Sequence, residues 1–241
     1  MVEIMENEKK LVLPGDLGNN AACDARRCEF DIMNEQIVFT EGTDVAIDFI
    51  GDSITHFMEH CQFYNKYGFV INRGIGGDET QFIEFRFEAD VIQLKPRLCV
   101  MCVGCNNLWV LEDKIDPESG DYIEEEKVKV INTIITAYTN MLERAKAAGI
   151  PVWVCSILPH SKWVGNFAIR NPLIARINGE LKALAEKYGT EYIDYFSNLT
   201  DEDGMTMKEG ISREGIHPNH AGYELMRQVL QPKLDKFFGM E

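Results

Sequence analysis

Five short stretches of the chain are rich in apolar residues, most of them almost without interruption. They are VAIDFI (45–50), FVIN (69–72), LCVMCV (98–103), VWVCSI (152–157) and EYID (191–194). Runs of this length and β-branched content fit strands buried on both faces, as in parallel sheets. Between them the apolar positions recur at steps of three and four. Over 125–148, Val128, Ile131, Ile135, Tyr138, Leu142 and Ala145 draw one stripe, and Gly149-Ile150-Pro151 stops that helix where a strand must begin. A second stripe in 172–188 runs through Ile174, Ile177, Leu181, Leu184 and Tyr188, and a last helix carries Leu225, Val229 and Leu234. Buried strands alternating with amphipathic helices predict right-handed crossovers and a parallel sheet covered on both sides. In such sheets, sites form in the loops beyond the carboxyl ends of the strands. Here those loops are 51–55, 73–80, 104–109, 158–165 and 204–219.

Upstream of Val45 this pattern fails. Residues 1–44 carry Pro14, Gly15, Gly18 and Asn19-Asn20, then a mixed stretch around Phe30–Phe39. They read as an N-terminal arm packed on a body formed by residues 45–241.

Composition narrows the class. Hydrophobic residues make up 45% and charged residues 26% of the 241, which excludes a disordered, collagenous or coiled-coil chain. A chain this long hides roughly 70–75% of its unfolded surface on folding and needs no disulfide or metal staple. With 24 Lys+Arg against 39 Asp+Glu, the net charge of −15 makes nucleic acid and anionic membranes poor partners. No run approaches the ~18 apolar residues of a membrane span, and MVEIMENEKK has no apolar segment to act as a signal. Seven cysteines, an odd number, fit free thiols in a reducing compartment, so the cytoplasm is expected.

The loops then supply chemistry. Gly51-Asp52-Ser53 puts a serine hydroxyl after a buried strand, at the positive end of a helix, which suits a nucleophile whose attack creates an oxyanion. A capping role for Asp52 or Ser53 explains the same residues in isolation. Arg73-Gly74-Ile75-Gly76-Gly77-Asp78 lets backbone N–H groups face a ligand, and Gly104-Cys105-Asn106-Asn107 offers a carboxamide donor. Glu214-Gly215-Ile216-His217-Pro218-Asn219 sets an imidazole before the last helix, with a carboxylate three residues upstream.

Taken in order, these four blocks strongly resemble the SGNH hydrolases, the GDSL esterase/lipase family, over about residues 45–238. The resemblance implies a flavodoxin-like three-layer α/β/α sandwich with a central parallel sheet of about five strands. It implies a serine esterase without cofactor or metal, in which Ser53 attacks an ester carbonyl and forms an acyl-enzyme. His217 would be the base, and the N–H groups of Ser53 and Gly77 with the Asn106 side chain would form the oxyanion hole. The sharp G-x-S-x-G elbow of ordinary α/β-hydrolases is absent. Two positions depart from the family pattern: Glu214 stands where aspartate is usual, and Asn107 where the third block usually has aspartate. Glu214 either completes a triad or leaves a Ser–His dyad. The expected substrate is a small ester, with short acyl groups on a polar alcohol such as an O-acetylated carbohydrate. Asp52, Trp109 and Trp163 are candidate substrate contacts, the tryptophans as platforms for a sugar ring.

Two other constellations compete. His56-Phe57-Met58-Glu59-His60 matches the H-x-x-E-H pattern of a zinc-dependent peptidase. A helix with Phe57, Cys61 and Tyr64 on its apolar face and His56, Glu59 and His60 on its solvated face accounts for it without metal. Cys99, Cys102 and Cys105 have an iron–sulfur-like spacing, but on a strand Cys99 and Cys102 face opposite sides. A non-catalytic protein that binds carbohydrate or acyl ligands is the third reading.

Overall fold

The computed structural model describes residues 11–14, 18 and 21–240, and five parallel strands form its centre. They are β1 (Val45–Gly51), β2 (Phe69–Gly74), β3 (Leu98–Cys102), β4 (Val152–Cys155) and β5 (Tyr192–Ile193), in the order β2-β1-β3-β4-β5. Around them lie α1 (Ala21–Phe39), α2 (Ser53–His56), α3 (His60–Phe63), α4 (Thr80–Phe87), α5 (Glu124–Ala148), α6 (Phe167–Tyr188), α7 (Tyr195–Leu199) and α8 (His220–Phe238). The result is the expected three-layer α/β/α sandwich with a flavodoxin-like strand order. Gly51 pairs with both Gly74 and Cys102, so the three strands that matter for the site end level with one another.

Alternation along the strands feeds two cores. Ile50, Cys99, Met101, Val152 and Val154 pack with the buried faces of α5 and α6. Ile47, Phe49, Leu98, Val100, Cys102 and Trp153 turn the other way, toward α7 and α8. Each fully buried Ile, Leu or Phe contributes about 1.5–3 kcal/mol, so the helices are held by these faces more than by their own propensity. Cys99 and Cys102 fall in different cores, which rules out a shared cluster ligand set.

Several elements differ from their sequence reading. In α5 the buried stripe is Ile131, Ile134, Tyr138, Met141, Leu142 and Ala145, and Val128 is exposed. In α8 it is Met226, Leu230 and Leu234, with Leu225 and Val229 at its flank. Helix α6 starts at Phe167, so Pro172 lies inside it and removes one backbone donor. The strand expected to reach residue 157 stops at Cys155, and the run at 191–194 supplies only two strand residues at the sheet edge.

The largest difference is α1, a 19-residue helix where the pattern was irregular. Of the residues read there as turn signals, Gly15, Asn19 and Asn20 lie outside the described residues. The inward positions of α1 are Cys23, Arg27, Phe30 and Asn34, correctly spaced for one helical face. Two of the four are polar. Arg27 Nη1 donates to Asp90 Oδ1 at 2.7 Å, and Asn34 Nδ2 donates to the same oxygen at 2.8 Å. Asn34 Oδ1 in turn accepts from Arg73 Nε at 3.0 Å, and Arg73 lies over the Phe30 ring. Breaking a buried charge pair of this kind costs about 3–5 kcal/mol, so α1 is tied to the body by polar contacts as firmly as by apolar ones.

Candidate active site

The carboxyl ends of β1, β2 and β3 place three turns side by side. At the first, any Cβ on Gly51 would stand 2.1 Å from the Cys102 carbonyl oxygen, so only glycine lets β1 end there. Asp52 then caps α2: its Oδ1 accepts the Ile54 N–H at 2.9 Å. Burial, opposed by that hydrogen bond and reinforced by nearby Asp78, pushes the Asp52 carboxyl up to about 7. Ser53 is the first residue of α2 and is 9% exposed.

His217 approaches from the loop before α8. Its Nδ1–H is hydrogen-bonded to Glu214 Oε1, which leaves Nε2 as the acceptor, and the Ser53 hydroxyl donates to it at 2.8 Å. Burial works to raise the Glu214 carboxyl. Hydrogen bonds from the His217 N–H and ring and from Ser212 outweigh it and hold the group below the ordinary glutamate value. Glutamate here reaches the ring that the family's usual aspartate would serve. A hydroxyl in this setting can pass its proton to the imidazole as it attacks, and the carboxylate can steady the imidazolium.

The second turn follows β2. The Gly76 N–H donates to His56 Nδ1 at 3.1 Å, and a Cβ on Gly76 would stand 3.8 Å from that of Ser53. Gly77 has φ +84°, a conformation that favours glycine and turns the chain toward Asp78. In the third turn a 3₁₀ helix, Asn106–Leu111, stacks side chains three apart. Trp109 Nε1 therefore donates to Asn106 Oδ1 at 3.2 Å, while Asn106 Nδ2 donates to the Asp78 carbonyl at 2.9 Å. The amide of Asn106 is thus fixed in orientation, with its nitrogen toward the second turn. Asn107 bonds Thr80 N and Oγ1 instead and anchors the start of α4.

Trp109 packs its ring against His160, 5.6 Å between centroids, and beneath Arg170, 4.3 Å away. His160 Nε2 lies 3.2 Å from Cys105 Sγ, and Arg170 is paired with Glu112. Burial is the main cause that lowers the His160 ring to about 4. Sequence reading passed over this buried cluster because a lone histidine and arginine on separate segments give no spacing signal. Trp163 is 71% exposed, with Lys162 over its ring. A depression of about 620 Å³, bordered by Phe57, Arg213, Pro218 and Tyr223, adjoins His217 and Glu214.

The H-x-x-E-H segment does not form a two-histidine ligand pair. Helix α2 ends at His56, whose Nδ1 is occupied by Gly76, and the chain kinks before α3. His60 is buried and stacked on Phe49 at 3.9 Å, which burial reflects in a ring lowered to about 3. Phe57, assigned to the apolar face, is 56% exposed. Cys61, assigned to the same face, is exposed too, while Tyr64 is buried and Glu59 exposed as expected. Among the described residues no group of three or more His, Cys, Asp or Glu side chains could hold a metal ion.

A profile of the GDSL-like Lipase/Acylhydrolase family matches residues 49–225, a span that includes all three turns and the His217 loop. The chain belongs to this family. Among curated proteins, platelet-activating factor acetylhydrolase IB subunit alpha1 of Rattus norvegicus is 36% identical over 63 residues, 24% of this chain and 27% of that protein's length. Among solved structures, a GDSL-like lipase from Bacteroides thetaiotaomicron superposes with a TM-score of 0.68 at 23% identity, covering 87% of this chain and 97% of the other. A catalytic mutant of an acetylxylan esterase from Geobacillus stearothermophilus does so with a TM-score of 0.60 at 18% identity, covering 82% and 95%. At such identities the two structures establish the shared fold. Among the described residues no helix of this family member is long and apolar enough to cross a membrane.

Proposed function

We propose that the chain is a serine esterase that hydrolyses short-chain carboxylic esters through an acyl-enzyme. The observation that carries this is the Ser53 hydroxyl donating to His217 Nε2 at 2.8 Å while Nδ1–H is held by Glu214. Attack by Ser53 Oγ on the carbonyl moves its proton to Nε2 and the carbonyl electrons to oxygen. The developing oxyanion would meet the Ser53 N–H at the start of α2, the Gly77 N–H and the Asn106 amide, the Gly76 N–H being taken by His56. His217 then protonates the leaving alcohol, and the same ring accepts a proton from the water that releases the acyl group.

The preferred substrate on this reading is an acetyl ester of a polar alcohol, such as an acetylated saccharide. The acetyl-directed names of the rat and Geobacillus relatives support the acyl group, and exposed Trp163 supports a sugar. The Trp109 ring already packs on His160 and Arg170, so Trp163 is the freer platform for a sugar. The test is an acyl-length series of p-nitrophenyl esters followed by acetylated xylo-oligosaccharides and platelet-activating factor. Turnover highest for acetyl and falling with chain length, with release of acetate from the saccharides, is expected. Preference for long acyl chains would reject the assignment.

A further inference from the structure

Arg86 of α4 makes no hydrogen bond to Ser53 or His217, yet it bonds two of the three turns beside them and reaches the third through Asp78. It is fully buried. Its Nε donates to Asp78 Oδ2 at 2.9 Å, its Nη1 to Asp90 Oδ2 at 2.9 Å and its Nη2 to the Gly51 carbonyl at 3.2 Å. Gly51 lies two residues before Ser53. Asp78 directly follows Gly77, and its own carbonyl receives the Asn106 amide. The Gly51 carbonyl also accepts the Ile75 N–H at 3.0 Å, so the first and second turns share a bond as well as a guanidinium.

Helix α1 closes the frame from outside. Arg27 and Asn34 hold the other oxygen of Asp90. Arg26 Nε donates to the Gly74 carbonyl at 2.9 Å, and the Cys23 thiol donates to the Gly76 carbonyl at 3.2 Å. The turn that carries Gly77 is therefore gripped by α1 on one side, by His56 on another and by Arg86 through Asp78.

We infer that Arg86 is a positioning residue for ester hydrolysis, setting the Gly77 and Asn106 donors against Ser53, and that α1 is part of this active-site frame. The inference rests on the serine-esterase reading. A guanidinium suits the task because its planar fork fixes three acceptors in one geometry, which a lysine ammonium cannot copy. The donors must lie about 2.7–3.1 Å from the oxyanion, and a misplacement of about 1 Å can cost on the order of 10²-fold in rate. Because Arg86 acts only through geometry, its loss should be felt in the transition state and not in ground-state binding.

The test measures kcat and KM on p-nitrophenyl acetate, and Ki for an aryl boronic acid, which forms a tetrahedral adduct with the serine. Arg86→Lys and Arg26→Ala are compared with wild type and Ser53→Ala, with circular dichroism and melting as checks of fold. Arg86→Lys is expected to lower kcat and raise the boronate Ki together, by about 10–100-fold, with KM within about twofold of wild type. Arg26→Ala, on the partly exposed side, should show the same split at about 3–10-fold. Folded variants with unchanged kcat, or with the loss confined to KM, overturn the inference while wild-type turnover that needs Ser53 leaves the esterase reading standing. If Arg86→Lys does not fold, Arg26→Ala decides. A wild-type protein with no Ser53-dependent turnover overturns both.

Discussion

Oxygen Oε1 of Glu214 accepts two hydrogen bonds from one residue, the backbone N–H of His217 at 2.9 Å and the ring Nδ1–H. The carboxylate thus fixes the peptide on which the ring is mounted as well as its tautomer. Ser212 donates to the other oxygen at 3.0 Å, which limits the freedom of the extra methylene. Loss of the equivalent charge in a serine protease triad costs about 10⁴ in kcat. With Glu214 in a partly exposed loop, Glu214→Gln should lower kcat by roughly 10–10³-fold, and Glu214→Asp should fall between Gln and wild type. Rates of p-nitrophenyl acetate hydrolysis across pH 6–9 measure this. A Gln variant equal to wild type beside an inactive His217→Ala would leave a Ser–His dyad.

Asn106 is oriented by bonds at both ends of its amide. On the esterase reading, truncation to alanine removes an oxyanion donor and should leave the Ser53–His217 contact in place. The expected loss in kcat is on the order of 10²–10³, with little change in KM. A change confined to KM would make Asn106 a binding residue.

Trp109 is the group that turns this amide. Trp109→Phe keeps an aromatic ring against His160 and Arg170 but deletes the N–H given to Asn106. One neutral hydrogen bond contributes about 0.5–1.5 kcal/mol, so kcat on an aryl acetate should fall about 3–10-fold. If aryl acetate kinetics are unaffected and only KM for an acetylated oligosaccharide rises, the indole is a sugar platform and not a support for Asn106.

Asp52 predicts a pH dependence of stability. Burial raises its carboxyl to about 7 from the 3.8 of an unperturbed aspartate, against the opposing Ile54 N–H. Between those values the folded protein keeps a proton that the unfolded chain has released, so this group makes stability fall as pH rises. Asp52→Asn keeps an acceptor for the cap and cannot titrate. Its stability relative to wild type should grow by about 2–4 kcal/mol from about pH 5 to about pH 8 and then level off. Urea midpoints at each pH check this, and parallel curves for the two proteins would contradict it.

The central sheet was legible because strands buried on both faces are apolar at most positions, and all five runs end within two residues of their expected limits. Ser53 and His217 were legible as candidates because each lies in a loop beyond a strand or before a helix, where turn geometry demands Gly, Asp or Pro. Helix α1 was not. Hydrophobic periodicity cannot register a face whose buried members include Arg27 and Asn34, because their partners, Asp90 and Arg73, are distant in sequence. Phe57, His60 and Cys61 were misassigned because the chain breaks between α2 and α3 where the local sequence reads as one continuous helix. Polar residues whose roles depend on partners far along the chain carry no spacing signal. Arg86 and His160 belong to the same group.

Stoichiometric labelling with a fluorophosphonate, mapped by peptide mass spectrometry, tests the identity of the nucleophile most directly. The hydroxyl that donates to His217 Nε2 should capture the phosphorus, so one adduct per chain is expected, on Ser53, with turnover lost in proportion. Ser53→Ala should take up no label and hydrolyse no p-nitrophenyl acetate above background while melting close to wild type. Labelling at another residue, or an unlabelled Ser53→Ala protein that still turns over the ester near the wild-type rate, would contradict the assignment of Ser53 as the nucleophile.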